Sequence, residues 1–200
     1  MLTLRTVSCA FCTTLLIVAA GNVPAQPYPS KPIRIVTPTA GSSVDFISRL
    51  VAQAISGPLG QQVIVDNRPS GVAPGQAVAQ AAPDGYTFVV SGSNLWIGQL
   101  LQSVPYDAER DFSPVSILGE SPLVLIVHPS LPARTASELI ALAKARPADL
   151  NYASSAAGTA SHLAGELFKS MAAVSIVNVP YKNAAQGLSD LIGGQVHMTF

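Results

Sequence analysis

Short β-branched runs alternate along this chain with stretches of helical spacing, and that alternation constrains the fold more than any other feature of the sequence. The runs fall at 33–36, 63–65, 87–90, 123–127, 175–179 and 196–200. Between most of them lie helical patterns. Over 46–55, apolar side chains at Phe46, Ile47, Leu50, Val51, Ala54 and Ile55 repeat at i, i+3, i+4, with Ser48, Arg49 and Gln53 opposite. Thr135, followed three residues later by Glu138, forms a capping box, which predicts a helix over 136–146 that Pro147 stops. Further helices are predicted over 161–171 and 184–192, the latter closed by Gly193-Gly194. Strand, loop, helix, strand is the rhythm of βαβ units. It predicts an α/β fold of mostly parallel sheets, with helices covering strands that read as continuous apolar runs.

Composition narrows the possible partners. Only 11% of the 200 residues are charged, with 11 basic and 11 acidic side chains. This low, balanced charge argues against disorder or a charge-laced coiled coil, and it supplies no basic field for nucleic acid. Part of the 48% hydrophobic content is concentrated at the front, where Arg5 precedes an apolar run over 7–20. That run is short for a membrane span and is followed closely by polar residues, so 1–25 is expected to be a signal peptide. Val23-Pro24-Ala25 sets small residues before a cut that would leave Gln26 first. An uncleaved anchor is the alternative. Both cysteines, Cys9 and Cys12, lie in that segment, so the exported chain would carry neither a disulfide nor a thiolate.

Ligands of open α/β sheets gather at the carboxyl ends of strands. Three loops at such places share a composition: 37–45, 91–94 and 154–161, each rich in Ser, Thr, Gly and Ala and free of Lys and Arg. Small residues admit a ligand to the backbone, and unpaired N–H groups at a helix start attract an anion. The same residue types are also ordinary caps and turns. Catalytic signatures are missing: there is no Gly-x-Ser-x-Gly elbow, phosphate loop, His-Glu-x-x-His or Gly-x-Gly-x-x-Gly. His128, His162 and His197 are too scattered for a metal set, and each has a plain role in a strand exit, a helix start or a strand. Ser161 and His162, adjacent on a helix, point about 100° apart and do not make a nucleophile and base. Trp96 and Tyr181 suit either a pocket wall or the core. No catalytic residue, metal or cofactor is expected.

Several ordered motifs carry a family resemblance. Tyr28-Pro29-Ser30-Lys31-Pro32-Ile33-Arg34-Ile35-Val36, Asp66-Asn67-Arg68-Pro69, Pro83-Asp84-Gly85-Tyr86-Thr87 and Pro105-Tyr106-Asp107 with Asp111-Phe112-Ser113-Pro114-Val115 mark the first half. Leu150-Asn151-Tyr152-Ala153-Ser154, Gly158-Thr159-Ala160-Ser161-His162, Val179-Pro180-Tyr181-Lys182 and Asp190-Leu191-Ile192-Gly193-Gly194-Gln195-Val196 mark the second. Together they resemble the Bug-type substrate-binding proteins of tripartite tricarboxylate transporters, over essentially all of 28–200. The resemblance implies a two-lobe periplasmic binding protein of type II-like, Venus flytrap form in a Gram-negative bacterium. Lobe 1 would be 26–122 and lobe 2 would be 123–200. It implies a small carboxylate as ligand and the large and small permease subunits of the transporter as partners. The receptor itself is read as a monomer, without nucleic acid. Carried over residue by residue, the ligand contacts are Thr39, Ala40, Gly41, Ser42 and Asp45, then Ser91 and Ser93, and on the opposite jaw Ala157, Gly158, Thr159 and Ser161. The family's first loop has an aromatic residue after its Pro and a Gly-Gly pair, whereas here Pro38 is followed by Thr39-Ala40-Gly41-Ser42-Ser43. Family members continue well beyond the strand at 196–200, so the chain is expected to lack the end of lobe 2, the return crossing and the segment completing lobe 1. The competing readings are a secreted hydrolase using Ser161 or Asp45, and a non-functional truncated remnant.

Overall fold

The computed structural model describes residues 27–69 and 71–200, so the expected signal peptide lies outside the described residues. From Lys31 to Phe200 the chain forms one compact unit. Its strands are β1 (Ile33–Thr37), β2 (Val63–Asn67), β3 (Thr87–Val89), β4 (Ile126–Val127), β5 (Asn151–Ser154), β6 (Val177–Pro180) and β7 (Met198–Thr199). Its helices are α1 (Ser43–Leu59), α2 (Ala73–Ala79), α3 (Asn94–Leu101), α4 (Ala136–Ala145), α5 (Ala160–Ala172) and α6 (Ala184–Ile192).

The strands form two sheets. The first is all parallel in the order β2-β1-β3, and the second has the order β4-β7-β5-β6 with only β4 antiparallel. Each sheet therefore contains a β-α-β-α-β run whose first strand lies between the second and the third. β1, α1, β2, α2, β3 make one run, and β5, α5, β6, α6, β7 make the other. In such an order the strand order reverses beside the central strand, the place where open α/β sheets hold ligands at the strand carboxyl ends.

Packing follows the sequence pattern. Leu139 and Ala143 of α4, Leu150, Tyr152, Val174, Ile176 and Met198 build the larger core under the second sheet. Leu95, Tyr106 and Ala108 anchor a smaller one beside the first, where Tyr106 and Phe112 meet edge to face at 5.5 Å. The Thr135 hydroxyl accepts the Glu138 N–H at 3.2 Å, and the Glu138 carboxylate accepts the Arg134 N–H at 2.6 Å. These bonds start α4 where the capping motif predicts it.

Several elements depart from the sequence expectation. α1 starts three residues before the predicted 46, because Ser42 caps it, and continues to Leu59. α2, α3 and β5 carry no prediction at all. The strand expected over 123–127 is reduced to Ile126–Val127. The preceding stretch, 113–125, has no regular structure and exposes Val115, Ile117 and Val124 at 78%, 81% and 63%. Among the described residues no helix is long and apolar enough to cross a membrane.

Candidate functional site

The carboxyl ends of β1 and β3 launch the first two small-residue loops, and the end of β5 launches the third. In the first loop Gly41 takes φ 81°, which a side chain would strain, and so turns the chain into α1. The Ser42 hydroxyl accepts the Asp45 N–H at 3.1 Å as a helix cap. Asp45 itself is buried, at 4% exposure. Its carboxylate accepts the Gly41 N–H at 2.9 Å and the Asn67 side-chain amide at 2.7 Å, and it pairs with Arg49 at 3.0 Å. Burial pushes this carboxyl up, but the bonds from Asn67, Arg49 and Gly41 outweigh it and hold the group below the usual carboxylate range. With its oxygens so occupied, Asp45 fixes the loop.

Asn67, at the end of β2, braces the first loop, a role that the sequence reading did not assign. Its amide donates to the Pro38 carbonyl at 2.8 Å and to Asp45, while its oxygen accepts from Arg49 at 2.7 Å. One side chain thereby ties β2 to the loop leaving β1. The Asp66-Asn67-Arg68-Pro69 motif was the available signal.

The second loop contains Ser91 and Ser93. The Ser91 hydroxyl donates to the Asn94 side-chain oxygen at 3.4 Å, and the buried Asn94 donates to the Gly71 carbonyl at 3.1 Å. Ser93 precedes α3 but makes no side-chain cap bond to it. Its hydroxyl instead donates to the Gly158 carbonyl at 2.9 Å, joining the loops of the two sheets.

The third loop is folded on itself. The Thr159 hydroxyl donates to the Ala156 carbonyl at 2.7 Å and lies 3.4 Å from the Ser161 hydroxyl. Ser161 accepts the Ser155 N–H at 3.2 Å. Thr159 occupies the N-cap of α5 without a side-chain cap bond. Gly158, at φ 79°, is buried against α3, and a Cβ there would lie 3.5 Å from the Asn94 Cα and 3.6 Å from the Gly98 Cα. Ala157 is exposed beside it.

A second bond between the sheets runs from the Thr39 hydroxyl to the Lys182 carbonyl at 3.4 Å, just past the end of β6. The structure thus brings the third loop against Ser93 and the first loop against residue 182. Within the first loop, Ala40 and Gly41 are exposed.

The histidines separate. His128 contacts the Ser130 hydroxyl at 2.7 Å, and His197 contacts the Asn151 side chain at 2.9 Å. His162 belongs to the third loop, where its Nδ1 accepts the Gly158 N–H at 3.4 Å. Ser161 and His162 bond to different backbone amides, in keeping with their divergence on α5. Among the described residues no group of three His, Cys, Asp or Glu side chains could hold a metal ion. Trp96 is 45% exposed, while Tyr181 packs on the Ala153, Leu191 and Val196 cluster with its hydroxyl 2.8 Å from Asp190.

Chemically, the site offers hydroxyl groups and helix starts and no basic side chain within its loops. α5 begins without a side-chain cap, so its first-turn N–H groups and positive dipole end face an incoming anion, whereas in α3 the Leu95 and Trp96 N–H groups already bond to the Gly92 and Ser93 carbonyls at 3.3 and 3.1 Å.

Comparison with known proteins agrees with the chemistry and the fold. A family model described as "TctC: Tripartite tricarboxylate transporter family receptor" matches residues 47–200. Protein BugT of Bordetella pertussis is 39% identical over 183 residues, which are 88% of this chain and 56% of that protein. A UPF0065 protein of Bordetella bronchiseptica is 40% identical over 187 residues, 91% of this chain and 55% of that protein. The solved structure "R. palustris Rpa4515 with adipate" superimposes with a TM-score of 0.80 at 37% identity, covering 86% of this chain and 60% of that one. A second, "MatC (Rpa3494) from Rhodopseudomonas palustris with bound malate", gives a TM-score of 0.77 at 27% identity, with the same two coverages. The chain spans little more than half the length of the curated relatives it matches. With three quarters of its residues matched by the family model, and with the two-sheet α/β architecture of solved periplasmic binding proteins, the chain belongs to the tripartite tricarboxylate transporter receptor family.

Proposed function

We propose that this chain forms the ligand-gripping part of a periplasmic receptor that captures a small carboxylate for a tripartite tricarboxylate transporter. The observation that carries this reading is the start of α5, whose leading hydroxyl turns away from its own helix. Thr159 bonds to the Ala156 carbonyl, so the first-turn amides of α5 are left for a ligand's oxygens, while Ser93 ties the head of α3 to the same loop through the Gly158 carbonyl. Thr39, Ala40, Gly41, Ser42, Ser91, Ser93, Ala157, Gly158, Thr159 and Ser161 form its walls, and Asp45 holds the first loop in shape. The three-stranded sheet belongs to a lobe spanning 26–122 and the four-stranded sheet to one spanning 123–200, closing on the acid as two jaws. Export through the 1–25 segment places the receptor in the periplasm, where it delivers the acid to the permease subunits as a monomer.

Two solved relatives carry adipate and malate, both dicarboxylic acids, and this supports a carboxylate ligand here. The family consists of receptors and not enzymes, which matches a site built for holding a charge. Calorimetric titration of the purified chain with adipate, malate, citrate, an aromatic acid and glutamate tests the proposal. Saturable binding of at least one acid, recovered unchanged, is the expected result. Conversion of any of them to a product, or binding of none, would overturn it.

A further inference from the structure

The loops entering α1 and α5 are the same device built twice. Gly41 and Gly158 share a left-handed backbone, with φ 81° and 79°. Each is followed by a hydroxyl residue at the N-cap in extended conformation, Ser42 at φ −79°, ψ 160° and Thr159 at φ −70°, ψ 157°. The Ser42 N–H returns to the Thr39 carbonyl at 3.3 Å, and the Thr159 N–H to the Ala156 carbonyl at 3.2 Å. The first helical bonds, Phe46 N–H to the Ser42 carbonyl and Leu163 N–H to the Thr159 carbonyl, are both 3.0 Å. In each loop the glycine N–H is then caught by the side chain at the third helical position. In the first that side chain is Asp45, at 2.9 Å, and in the second it is His162, at 3.4 Å.

We infer that His162 is the positioning residue of the second jaw, the counterpart of Asp45, and that it acts as the neutral tautomer with its proton on Nε2. Only that form leaves a lone pair on Nδ1 to receive the Gly158 N–H. The bond matters because Gly158 is held at both ends: His162 takes its N–H and Ser93 donates to its carbonyl. Releasing the N–H loosens the residue whose carbonyl joins the two sheets.

The exchange of Asp for His has an electrostatic reason. A carboxylate at the third position of α1 lies at the positive end of that helix and is paired with Arg49. The first turn of α5 has no acidic residue. A neutral imidazole there does the same mechanical work while leaving the dipole for an incoming anion. The nearest charges are Glu166, one turn further along α5 and bound by Lys169 at 2.8 Å and by the Tyr152 hydroxyl at 2.9 Å. α3, which packs on Gly158, has no titratable side chain.

The inference rests on the binding reading for its purpose, and its test does not. Nitrogen-15 spectra of histidine-labelled chain, assigned by loss of the His162 signals in His162→Asn, are expected to show Nε2 protonated and Nδ1 as an acceptor at pH 8. A proton on Nδ1 would overturn the assignment. In hydrogen exchange, the Gly158 amide is expected to exchange roughly tenfold faster in His162→Phe, corresponding to about one lost hydrogen bond, and at close to the parental rate in His162→Asn, whose side-chain oxygen also accepts. Equal protection in the two variants would overturn it. Should His162→Phe fail to fold, the tautomer in the parent chain decides. Adipate titration of the same proteins separates the two ideas. If the parent chain binds none of the acids while tautomer and exchange behave as expected, the binding reading fails and the role of His162 stands.

Discussion

The hydroxyl of Ser93, at the head of α3, is joined to the carbonyl of Gly158, at the head of α5, by a 2.9 Å hydrogen bond that crosses from one sheet to the other. The partners lie 65 residues apart in the chain, so the bond is made by tertiary structure alone. Replacing Ser93 by Ala is expected to weaken acid binding by about 0.5 to 1.5 kcal/mol, roughly two- to twelvefold in Kd, with the unfolding midpoint little changed. Titration calorimetry beside a thermal melt measures both. An unaltered Kd would show that the bond takes no part in holding the ligand.

Thr159 offers a sharper comparison. Its hydroxyl closes the third loop onto the Ala156 carbonyl at 2.7 Å. Thr159→Ala should weaken binding by about 1 to 3 kcal/mol without unfolding the chain, and Thr159→Ser, which keeps the hydroxyl, should restore most of the loss. Equal affinities for the Ala and Ser variants would remove the hydroxyl from the site.

Asp45 governs stability at acid pH. Its folded-state carboxyl lies below the ordinary range, so the contribution is complete above about pH 4 and disappears as pH falls through the lowered folded value. Asp66, shifted the same way against its own burial by Arg34 and Arg68, adds to the same loss. Urea unfolding should give a flat stability from pH 7 to about 5 and a decline below about 4. Asp45→Asn should cost about 1 to 3 kcal/mol at pH 7 and flatten part of that decline. A mutant with the parental pH slope would show that other carboxyls carry the effect.

Gly165 faces the Tyr152 ring so closely that a methyl group there would overlap the ring carbons. Tyr152 is fully buried, and burial together with Glu166 beside it pushes its phenol well up from the usual range, so the ring stays neutral and fixed. Gly165→Ala should therefore destabilise the chain by about 1 to 3 kcal/mol, a fall of about 2 to 12 °C in Tm. A mutant melting within a degree of the parent would show that the ring can move aside.

Legibility in the sequence followed the range over which each signal acts. α4 was readable because Thr135 and Glu138 cap it within one turn, and α6 because Gly193-Gly194 close it, while its Asn183 cap emerged only with the structure. α2 was not, since Pro74 and Gly75 are poor helix formers that mask its pattern. Gly75 is there because a Cβ would come within 2.7 Å of Leu95 and Tyr106, a constraint that exists only once the fold has formed. β5 has four residues, Asn-Tyr-Ala-Ser, and becomes a strand by pairing on both sides with β6 and β7. α3 lacks both a cap and a clear apolar face, with Trp96, Leu100 and Leu101 exposed. The three loops were visible from composition, but the roles within them were not. That Asp45 is occupied by its own loop, that Asn67 pins it, and that His162 repeats its task depend on bonds that spacing does not encode.

The seat of Gly158 has a consequence for recombining these receptors. A Cβ placed on it would sit in van der Waals contact with the backbone of Asn94 and Gly98 at 3.5 to 3.6 Å, and its left-handed turn at φ 79° disfavours any side chain. A loop grafted at 154–161 from a relative will fit only if its α3 segment travels with it. The loop and α3 thus travel as two linked pieces, and chimeras that exchange one alone should lose stability relative to chimeras that exchange both, as a thermal melt would show.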